Sequence, residues 1–238
     1  MCGRVYEIYA AEDLSSRYLD GSPAEIDLSP TYNLCPTENS PVLLIDDGDR
    51  HLLKMRWQLV PKTEPAFSTK LSTINARSES IFESRLYRDL VLRQRCIVPI
   101  SGFYEWKREG AERRPFKISL REESIMSVAG IWDIWRPGTK DERHSFSILT
   151  TSANETMSAI HDRMPVILAR RDEERWLDPD FRDRESLNSI LKPCPSSRLE
   201  TAEVSPLVNS VKNNSSELLL PVESFAQSRP RTGTLFDL

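Results

Sequence analysis

The middle of the chain is a series of short apolar runs that predict strands. In Phe116 to Leu120, apolar residues alternate with Lys117 and Ser119, which is the pattern of an antiparallel strand with one face towards solvent. The other predicted strands of the series are Cys96 to Pro99, Phe103 to Lys107, Ser127 to Trp132, Phe146 to Thr151 and Pro165 to Leu168. A series of this kind favours a mostly antiparallel, barrel-like β core.

A hairpin and a loop are predicted before this series. Val42 to Ile45 and Leu52 to Val60 are predicted strands, and the turn residues Asp46 to Asp49 between them are typical of a β-hairpin. Pro61 to Thr73 shows no clear period, so we expect a loop there.

Helical spacing of apolar and charged residues predicts a few peripheral helices. These segments are Ala10 to Leu19, Ser80 to Arg93, Asp172 to Leu177 and Arg184 to Leu191. Ser80 followed by Glu83 resembles a capping box at the start of the second one. Because no repeat or linker composition precedes residue 224, residues 1–223 are predicted to form a single α+β domain.

The composition is that of a globular protein, with 238 residues, 39% of them hydrophobic, and a formal net charge of −4. No run approaches the roughly 18 apolar residues of a membrane span, so we expect a cytoplasmic monomer without membrane contact. The charge gives no global attraction for nucleic acid, which leaves a local basic groove as the alternative. The four cysteines have no CxxC spacing, so neither a metal nor another cofactor is expected. Cys35, Cys96 and Cys194 are expected to be reduced and mostly buried.

Cys2 is the residue with the most unusual potential chemistry. Methionine aminopeptidase removes Met1 only when the next side chain is small, so we expect a mature chain that begins at Cys2. Such a chain carries a free α-amine and a thiol on adjacent carbons. An aldehyde condenses with the amine to an imine, and the thiol then closes on the imine to give a thiazolidine. Taken alone, Cys2 is more simply explained as a small residue after Met1.

Three further segments place polar residues among apolar ones: Ile74 to Arg77, Gly102 to Lys107 and Ile160 to Pro165. The second holds Glu105 on the same face of a predicted strand as Phe103, where an apolar wall raises the pKa of a carboxyl group. Each polar residue in these segments also has an ordinary structural explanation, as a turn residue, a solvent-facing carboxylate, a structural histidine or a surface charge.

Together with Met1 to Arg4, these segments resemble the four signature motifs of the SOS response-associated peptidase family, whose members sense abasic sites in single-stranded DNA. The supporting matches include Arg56-Trp57, Leu59 to Pro61, Tyr32-Asn33, Ala129 to Asp133, Val204 to Pro206 and Val208 to Val211. The resemblance covers roughly residues 1 to 222. It implies capture of the open-chain abasic aldehyde as a stable thiazolidine DNA–protein cross-link, a lyase-like and single-turnover reaction that protects damaged DNA.

The resemblance implies a role for each motif residue. Cys2 is the nucleophile through its amine and its thiol, and Asn75 orients it. Glu105 accepts and relays protons from the amine, and His161 donates a proton to the sugar oxygen as the ring opens.

The DNA contacts are implied in the same way. Arg77 and Arg163 clamp the phosphates beside the lesion, Arg4 adds a contact, and Trp106 stacks on a base or walls the pocket. The chain departs from the family after Pro61, where Phe67 is the nearest aromatic residue in a loop that commonly carries one.

Two other hypotheses remain open. In the first, the protein is a cysteine peptidase in which Cys2 attacks a peptide bond, an activity that could be limited to removal of Met1. In the second, it binds single-stranded DNA without a covalent bond, and Cys2 is structural. Only cross-linking requires an aldehyde, and only a peptidase turns over a peptide.

Residues 224–238 are predicted to form a flexible tail. Its end carries Leu235, Phe236 and Leu238 and resembles the C-terminal peptides by which repair proteins dock on sliding clamps, although Thr232 stands where such peptides usually have glutamine. A sliding clamp is therefore a second predicted partner, after abasic single-stranded DNA.

Overall fold

A computed structural model of the chain describes residues 2–222. These residues form one mixed α+β domain, in agreement with the predicted fold. The strands are β1 (Val5–Glu7), β2 (Thr31–Leu34), β3 (Asn39–Asp46), β4 (Asp49–Trp57), β5 (Asn75–Arg77), β6 (Arg95–Ile100), β7 (Gly102–Glu109), β8 (Glu112–Leu120), β9 (Met126–Trp135), β10 (Arg143–Ser152), β11 (Arg163–Pro165) and β12 (Leu199–Glu203). The helices are α1 (Ala11–Tyr18), α2 (Leu90–Arg93), α3 (Glu155–Ser158), α4 (Arg170–Leu177) and α5 (Arg184–Ile190).

The strands form two sheets, and one of them closes into a ring. The open sheet runs β12-β8-β7-β1-β2 and is antiparallel. In the ring-like sheet the order is β10-β4-β3-β6-β9, and β9 pairs with β10 again. This arrangement confirms the prediction of a mostly antiparallel, barrel-like core, although β10 pairs with β4 in parallel.

In addition to β4 and β9, strand β10 pairs with two further strands along its second half. β5 lies parallel to it, with Asn75 opposite Ile148 and Arg77 opposite Thr150. On the other edge β11 lies antiparallel, with Pro165 opposite Thr150. The short strands β5 and β11, which contain residues of two of the sequence motifs, therefore lie on opposite edges of β10.

Four of the ring strands, β3, β6, β9 and β10, are buried on both faces. Val42 and Leu44 of β3 belong to one apolar core, whereas Leu43 between them belongs to a second core that includes residues of α1, α4 and α5. Ile97 in β6 and Leu149 in β10 also face the second core. Burial on both faces explains why these strands appear in the sequence as continuous apolar runs.

The predicted helix from Ser80 to Arg93 is wrong as one element. A 3-10 turn covers Ser78–Ser80, successive turns follow, and only Leu90–Arg93 is α-helical. Ile81 still reaches the second core, because consecutive turns can bury the same apolar residues as a helix. Strand ends also differ from the predictions: β4 stops at Trp57, and β11 stops at Pro165.

The other predictions about overall organisation have mixed outcomes. The hairpin of β3 and β4 is confirmed. No helix among the described residues has the length and apolar composition that a membrane crossing needs. The predicted tail, with the clamp-binding side chains Leu235, Phe236 and Leu238, lies outside the described residues, and so does Met1.

Glu7 of β1 is a buried carboxyl group that ties the two sheets together. Ser40 of β3 donates its hydroxyl to Oε1 of Glu7 at 2.5 Å, and Glu7 is 6% exposed. Burial raises the pKa of Glu7 to about 8. The folded protein therefore holds this proton at neutral pH, whereas the unfolded chain, with a pKa of about 4.3, has released it.

We expect this proton to make the free energy of unfolding fall as pH rises between about 5 and 8, by up to about 1.4 kcal/mol per pH unit. Glu7→Gln keeps the uncharged shape, so the variant should lose this pH dependence and be more stable than the wild type at pH 8. Melting curves from pH 5 to 9 test this, with the exposed Glu12→Gln on α1 as the control. Parallel pH profiles for Glu7→Gln and the wild type would contradict the assignment.

Candidate active site

Strand β1 brings Cys2 to the edge of β7. Val5 lies opposite Phe103, and the amide of Tyr104 donates to the carbonyl of Arg4 at 2.9 Å. Continued by two residues, this antiparallel register places Glu105 opposite Gly3, next to Cys2. The expected position of Glu105 on the face of Phe103 agrees with its burial, because it is only 4% exposed.

Gly102 permits this close approach of the strands. A Cβ atom at Gly102 would lie 2.2 Å from the hydroxyl of Tyr6 in β1 and 2.4 Å from the carbonyl oxygen of Ile118 in β8. Any side chain at this position would push β1 or β8 away from β7. The glycine therefore helps to fix the position of the strand that carries Cys2.

The thiol of Cys2 is fully buried, with no exposed surface. Burial, followed by the negative charge of Glu105, raises the pKa of the Cys2 thiol well above its ordinary value, and a hydrogen bond with the backbone of Arg4 only partly opposes this. The thiol is therefore uncharged at neutral pH in the chain that still carries Met1. To act as a nucleophile it must give its proton to a base.

Asn75 joins β5 of the ring to the N-terminal segment. Its Nδ2 donates to the carbonyl oxygen of Cys2 at 2.7 Å, and the residue is 9% exposed. Its Oδ1 is also buried and has no hydrogen-bond partner among residues 2–222. An unsatisfied buried acceptor beside Cys2 is costly, and it is available to a donor that arrives at that residue.

His161 lies in the turn between α3 and β11. The turn is fixed by Asn154, whose side chain caps α3, and by the amide of His161, which donates to the carbonyl of Met157 at 2.8 Å. The amide of Arg163 donates to Nδ1 of His161 at 2.9 Å.

Two groups compete for Nδ1 of His161. The carboxylate of Asp162 also lies 2.9 Å from Nδ1, but that pair requires a protonated Nδ1, which could not accept from the amide of Arg163. The backbone fixes that amide, whereas the side chain of Asp162 is 86% exposed. When Nδ1 accepts from the amide, the proton of the neutral ring lies on Nε2.

Arg77 and Arg163 lie at the same end of β10 but in different environments. Arg77 is exposed and has no ion pair among the described residues. Arg163 is largely buried and makes two parallel hydrogen bonds to the carboxylate of Glu79, at 2.6 and 2.9 Å. Hydrogen bonds and the charge of Arg163 hold the pKa of Glu79 below its ordinary value, although burial acts in the opposite direction.

Arg4 and Trp106 lie away from the face that holds Glu105, because successive residues of β7 point to opposite sides. The guanidinium of Arg4 donates to Oδ1 of Asn33 at 2.7 Å and to the carbonyl of Val208 at 2.8 Å, and it stands 5.7 Å from the centre of the Trp106 ring. The indole of Trp106 donates to Asn209 at 2.7 Å. Both residues therefore have internal partners, which brace the N-terminal segment against residues 206–213.

Phe67, the aromatic residue of the loop after Pro61, packs elsewhere. Its ring centre lies 5.7 Å from that of Trp135, with the guanidinium groups of Arg56 and Arg143 at 5.8 and 5.4 Å. Arg143 is five residues from Ile148, the β10 partner of Asn75.

Among the described residues, no cluster of histidine, cysteine and carboxylate side chains is suited to a metal ion.

Two contacts that organise the site have no signal in the local sequence pattern. Glu79 follows Arg77 by two residues, but its partner Arg163 is 84 residues away. Asn33 belongs to the short motif Tyr32-Asn33, and its side-chain amide lies within hydrogen-bond distance of three carbonyl groups, those of Val208, Ser210 and Asn213. Neither pairing follows from a local pattern, and only the three-dimensional structure reveals it.

Comparison with known proteins extends over this whole arrangement. The model of a family described as SOS response associated peptidase (SRAP) matches residues 1–211. The abasic site processing protein YoqW of Bacillus subtilis is 36% identical over 221 residues, which cover 92% of this chain and 99% of that protein. The abasic site processing protein HMCES of Gallus gallus is 33% identical over 227 residues, covering 82% and 67%. A crystal structure of a protein from Bacteroides thetaiotaomicron superposes with a TM-score of 0.78 at 26% identity, covering 91% and 99%.

Proposed function

The chain belongs to the SOS response associated peptidase family, and we propose that it senses abasic sites in single-stranded DNA and captures them as a covalent thiazolidine cross-link through Cys2. Relatives that are named abasic site processing proteins support the substrate. The observation that carries the proposal is the junction of the two sheets, where Asn75 holds the carbonyl of Cys2 and Glu105 lies beside it.

Removal of Met1 is the first step, because it turns the amide nitrogen of Cys2 into a free amine. The amine attacks the open-chain aldehyde of the abasic sugar, and loss of one water gives an imine. The sulfur of Cys2 then bonds to the imine carbon, and the thiol proton passes to the nitrogen. The net reaction joins protein and DNA with the release of one water, and it needs no oxidant or cofactor.

Glu105 and Asn75 are suited to the proton transfers in these steps. A neutral amine must be generated from an ammonium group, and the carboxylate of Glu105 is the buried base next to it. The open acceptor Oδ1 of Asn75 can take a hydrogen bond from the new amine and point its lone pair at the aldehyde. The ammonium charge on Cys2 also favours the thiolate, which offsets the effect of burial on the thiol pKa.

A proton on Nε2 would suit His161 for ring opening. The abasic sugar is mostly a closed ring, and opening it to the aldehyde requires a proton donor at the ring oxygen. With Nδ1 accepting from the amide of Arg163, the Nε2–H group of His161 is that donor. The neighbouring β11 begins at Arg163, so one short segment carries both the acid and a phosphate-binding cation.

The DNA backbone would run along the end of β10 that lies between Arg77 of β5 and Arg163 of β11. Arg77 is exposed there and offers a complete guanidinium group to a phosphate. The internal bonds of Arg4 and Trp106 favour a bracing role for these two residues, with any DNA contact being secondary. Of the two peptidase possibilities, the buried position of Cys2 favours removal of Met1 over cleavage of other proteins.

The requirement for an aldehyde tests this function against its rivals. The purified full-length protein is mixed with three single-stranded oligonucleotides that carry an abasic site, the same site reduced to an alcohol, or no lesion. We expect a heat- and denaturant-stable adduct only with the aldehyde, because neither alternative substrate can form an imine. A peptidase would form no adduct with any of them, and a noncovalent module would bind all three reversibly; either result would contradict the proposal.

A further inference from the structure

Glu79 occupies the place where the proposed function needs a phosphate. Nη1 and Nη2 of Arg163 donate to the two carboxylate oxygens of Glu79 at 2.6 and 2.9 Å. This two-point geometry is the one in which arginine binds a phosphate group. In the described structure the binding edge of Arg163 is therefore already filled by an anion of the protein itself.

Thr150 fixes the guanidinium group of Arg163 in its orientation. Nη2 also donates to the carbonyl oxygen of Thr150 at 2.7 Å and lies 3.1 Å from its Oγ1. Thr150 is fully buried and lies between Arg77 of β5 and Pro165 of β11. Arg163 therefore cannot turn towards a second anion without giving up bonds to a rigid strand.

Glu79 is the partner that is able to leave. Its side chain is 49% exposed, whereas that of Arg163 is 14% exposed. It follows the exposed Arg77 by two residues and pairs with Arg163 at the same end of β10, so a DNA strand that contacts both arginines reaches the position of its carboxylate. Because an ion pair with an exposed partner is weak on balance, a phosphate group can replace the carboxylate at modest cost.

We infer that Glu79 stands in for a DNA backbone phosphate in the free protein and is displaced when a single strand binds, which makes it a positioning residue that lowers affinity for undamaged DNA. This inference rests on the proposed function. While no DNA is bound, the carboxylate of Glu79 holds the guanidinium group of Arg163 in place and compensates its positive charge. When DNA binds, the phosphate takes over these hydrogen bonds and Glu79 turns towards solvent.

Binding of an undamaged single-stranded oligonucleotide tests the inference without any covalent step. Glu79→Gln removes the competing charge and should tighten binding about twofold to fivefold at low salt, the upper part of the range for an ion pair with an exposed partner. Glu83→Gln is the matched control, because it makes the same change four residues away at a residue that pairs with Arg184 at 2.9 Å. The control should change affinity by less than about twofold.

The gain must depend on Arg163. In an Arg163→Gln background, Glu79→Gln should no longer tighten binding, because no guanidinium group is released. Equal effects of Glu79→Gln and Glu83→Gln, or weaker binding by Glu79→Gln, would overturn the inference. So would a gain that persists without Arg163, since it would reflect only the general charge.

Melting curves and the abasic adduct separate the remaining outcomes. Glu79→Ala serves as a second variant if Glu79→Gln is poorly folded, and failure of both to fold would show that Glu79 is a structural partner and overturn the inference. If the wild type forms the abasic adduct but Glu79→Gln behaves like Glu83→Gln, only this inference fails. If no variant binds DNA and no adduct forms, the proposed function fails with it.

Discussion

Replacing Cys2 with alanine is expected to abolish the stable adduct with abasic DNA. The processed variant keeps an α-amine but has no thiol to close the ring, so the reaction stops at an imine that water reverses. Cys2→Ser should likewise yield at most an imine, which borohydride traps and heat destroys. Denaturing gels after heating, with and without borohydride, measure both outcomes.

The matched control is Cys35→Ala, which removes a partly exposed thiol that pairs with the carbonyl of Asn33. It should form the adduct as the wild type does. A heat-stable adduct from Cys2→Ala, or loss of the adduct in Cys35→Ala alone, would refute the thiazolidine mechanism and move the reactive group away from the N-terminal segment.

The largest expected loss of stability comes from Arg95→Met. Arg95 is 3% exposed, and within residues 2–222 its guanidinium group donates only to backbone carbonyls. These acceptors are the carbonyls of Val91 at 2.8 Å, Trp176 at 2.5 Å and Phe181 at 2.9 Å, together with that of Asp178. Burial lowers the pKa of Arg95 to about 10, so the group is still charged at neutral pH.

Methionine keeps the unbranched stem of Arg95 as far as the position of Nε but leaves these carbonyls without a donor. Backbone carbonyls cannot be removed with the side chain, so each keeps its desolvation cost. We expect the free energy of unfolding to fall by about 3–5 kcal/mol, measured by urea denaturation. Arg93→Met is the control, because Arg93 is exposed two residues away, and it should change stability by less than about 0.5 kcal/mol. Equal effects of the two substitutions would contradict a structural role for Arg95.

Most of the ring was predictable because β3, β6, β9 and β10 are buried on both faces. β6, β9 and β10 contain the predicted runs at Cys96, Ser127 and Phe146, which neighbouring strands and helices cover from both sides. Three-residue strands carry no such signal. Asn75–Arg77 is a strand only because β10 pairs with it, and a pairing between residues 73 positions apart leaves no local pattern.

The incorrect prediction of a single helix after Ser80 has a similar cause. Ile81, Phe82, Leu86 and Leu90 fall at helical spacing, and all four pack on the second core. Turns that follow one another bury these positions equally well. Periodicity therefore identified which residues face the core but not the backbone hydrogen bonds of the segment.

The candidate site was likewise only partly predictable from the sequence. Its residues are identifiable by their resemblance to family motifs, and Cys2, Asn75 and Glu105 do come together. The partners that hold the arginine side chains of the site are not visible in the sequence. Glu79 on Arg163, and Asn33 on Arg4, come from distant segments, and only the folded chain brings them into contact.

The most direct test of the central claim is an intact-mass spectrum of the full-length protein, alone and after mixing with a single-stranded oligonucleotide that carries one abasic site. The account predicts a protein that lacks Met1 and an adduct whose mass is the sum of protein and oligonucleotide less one water. A protein that retains Met1, or a processed protein that forms no adduct, would contradict it.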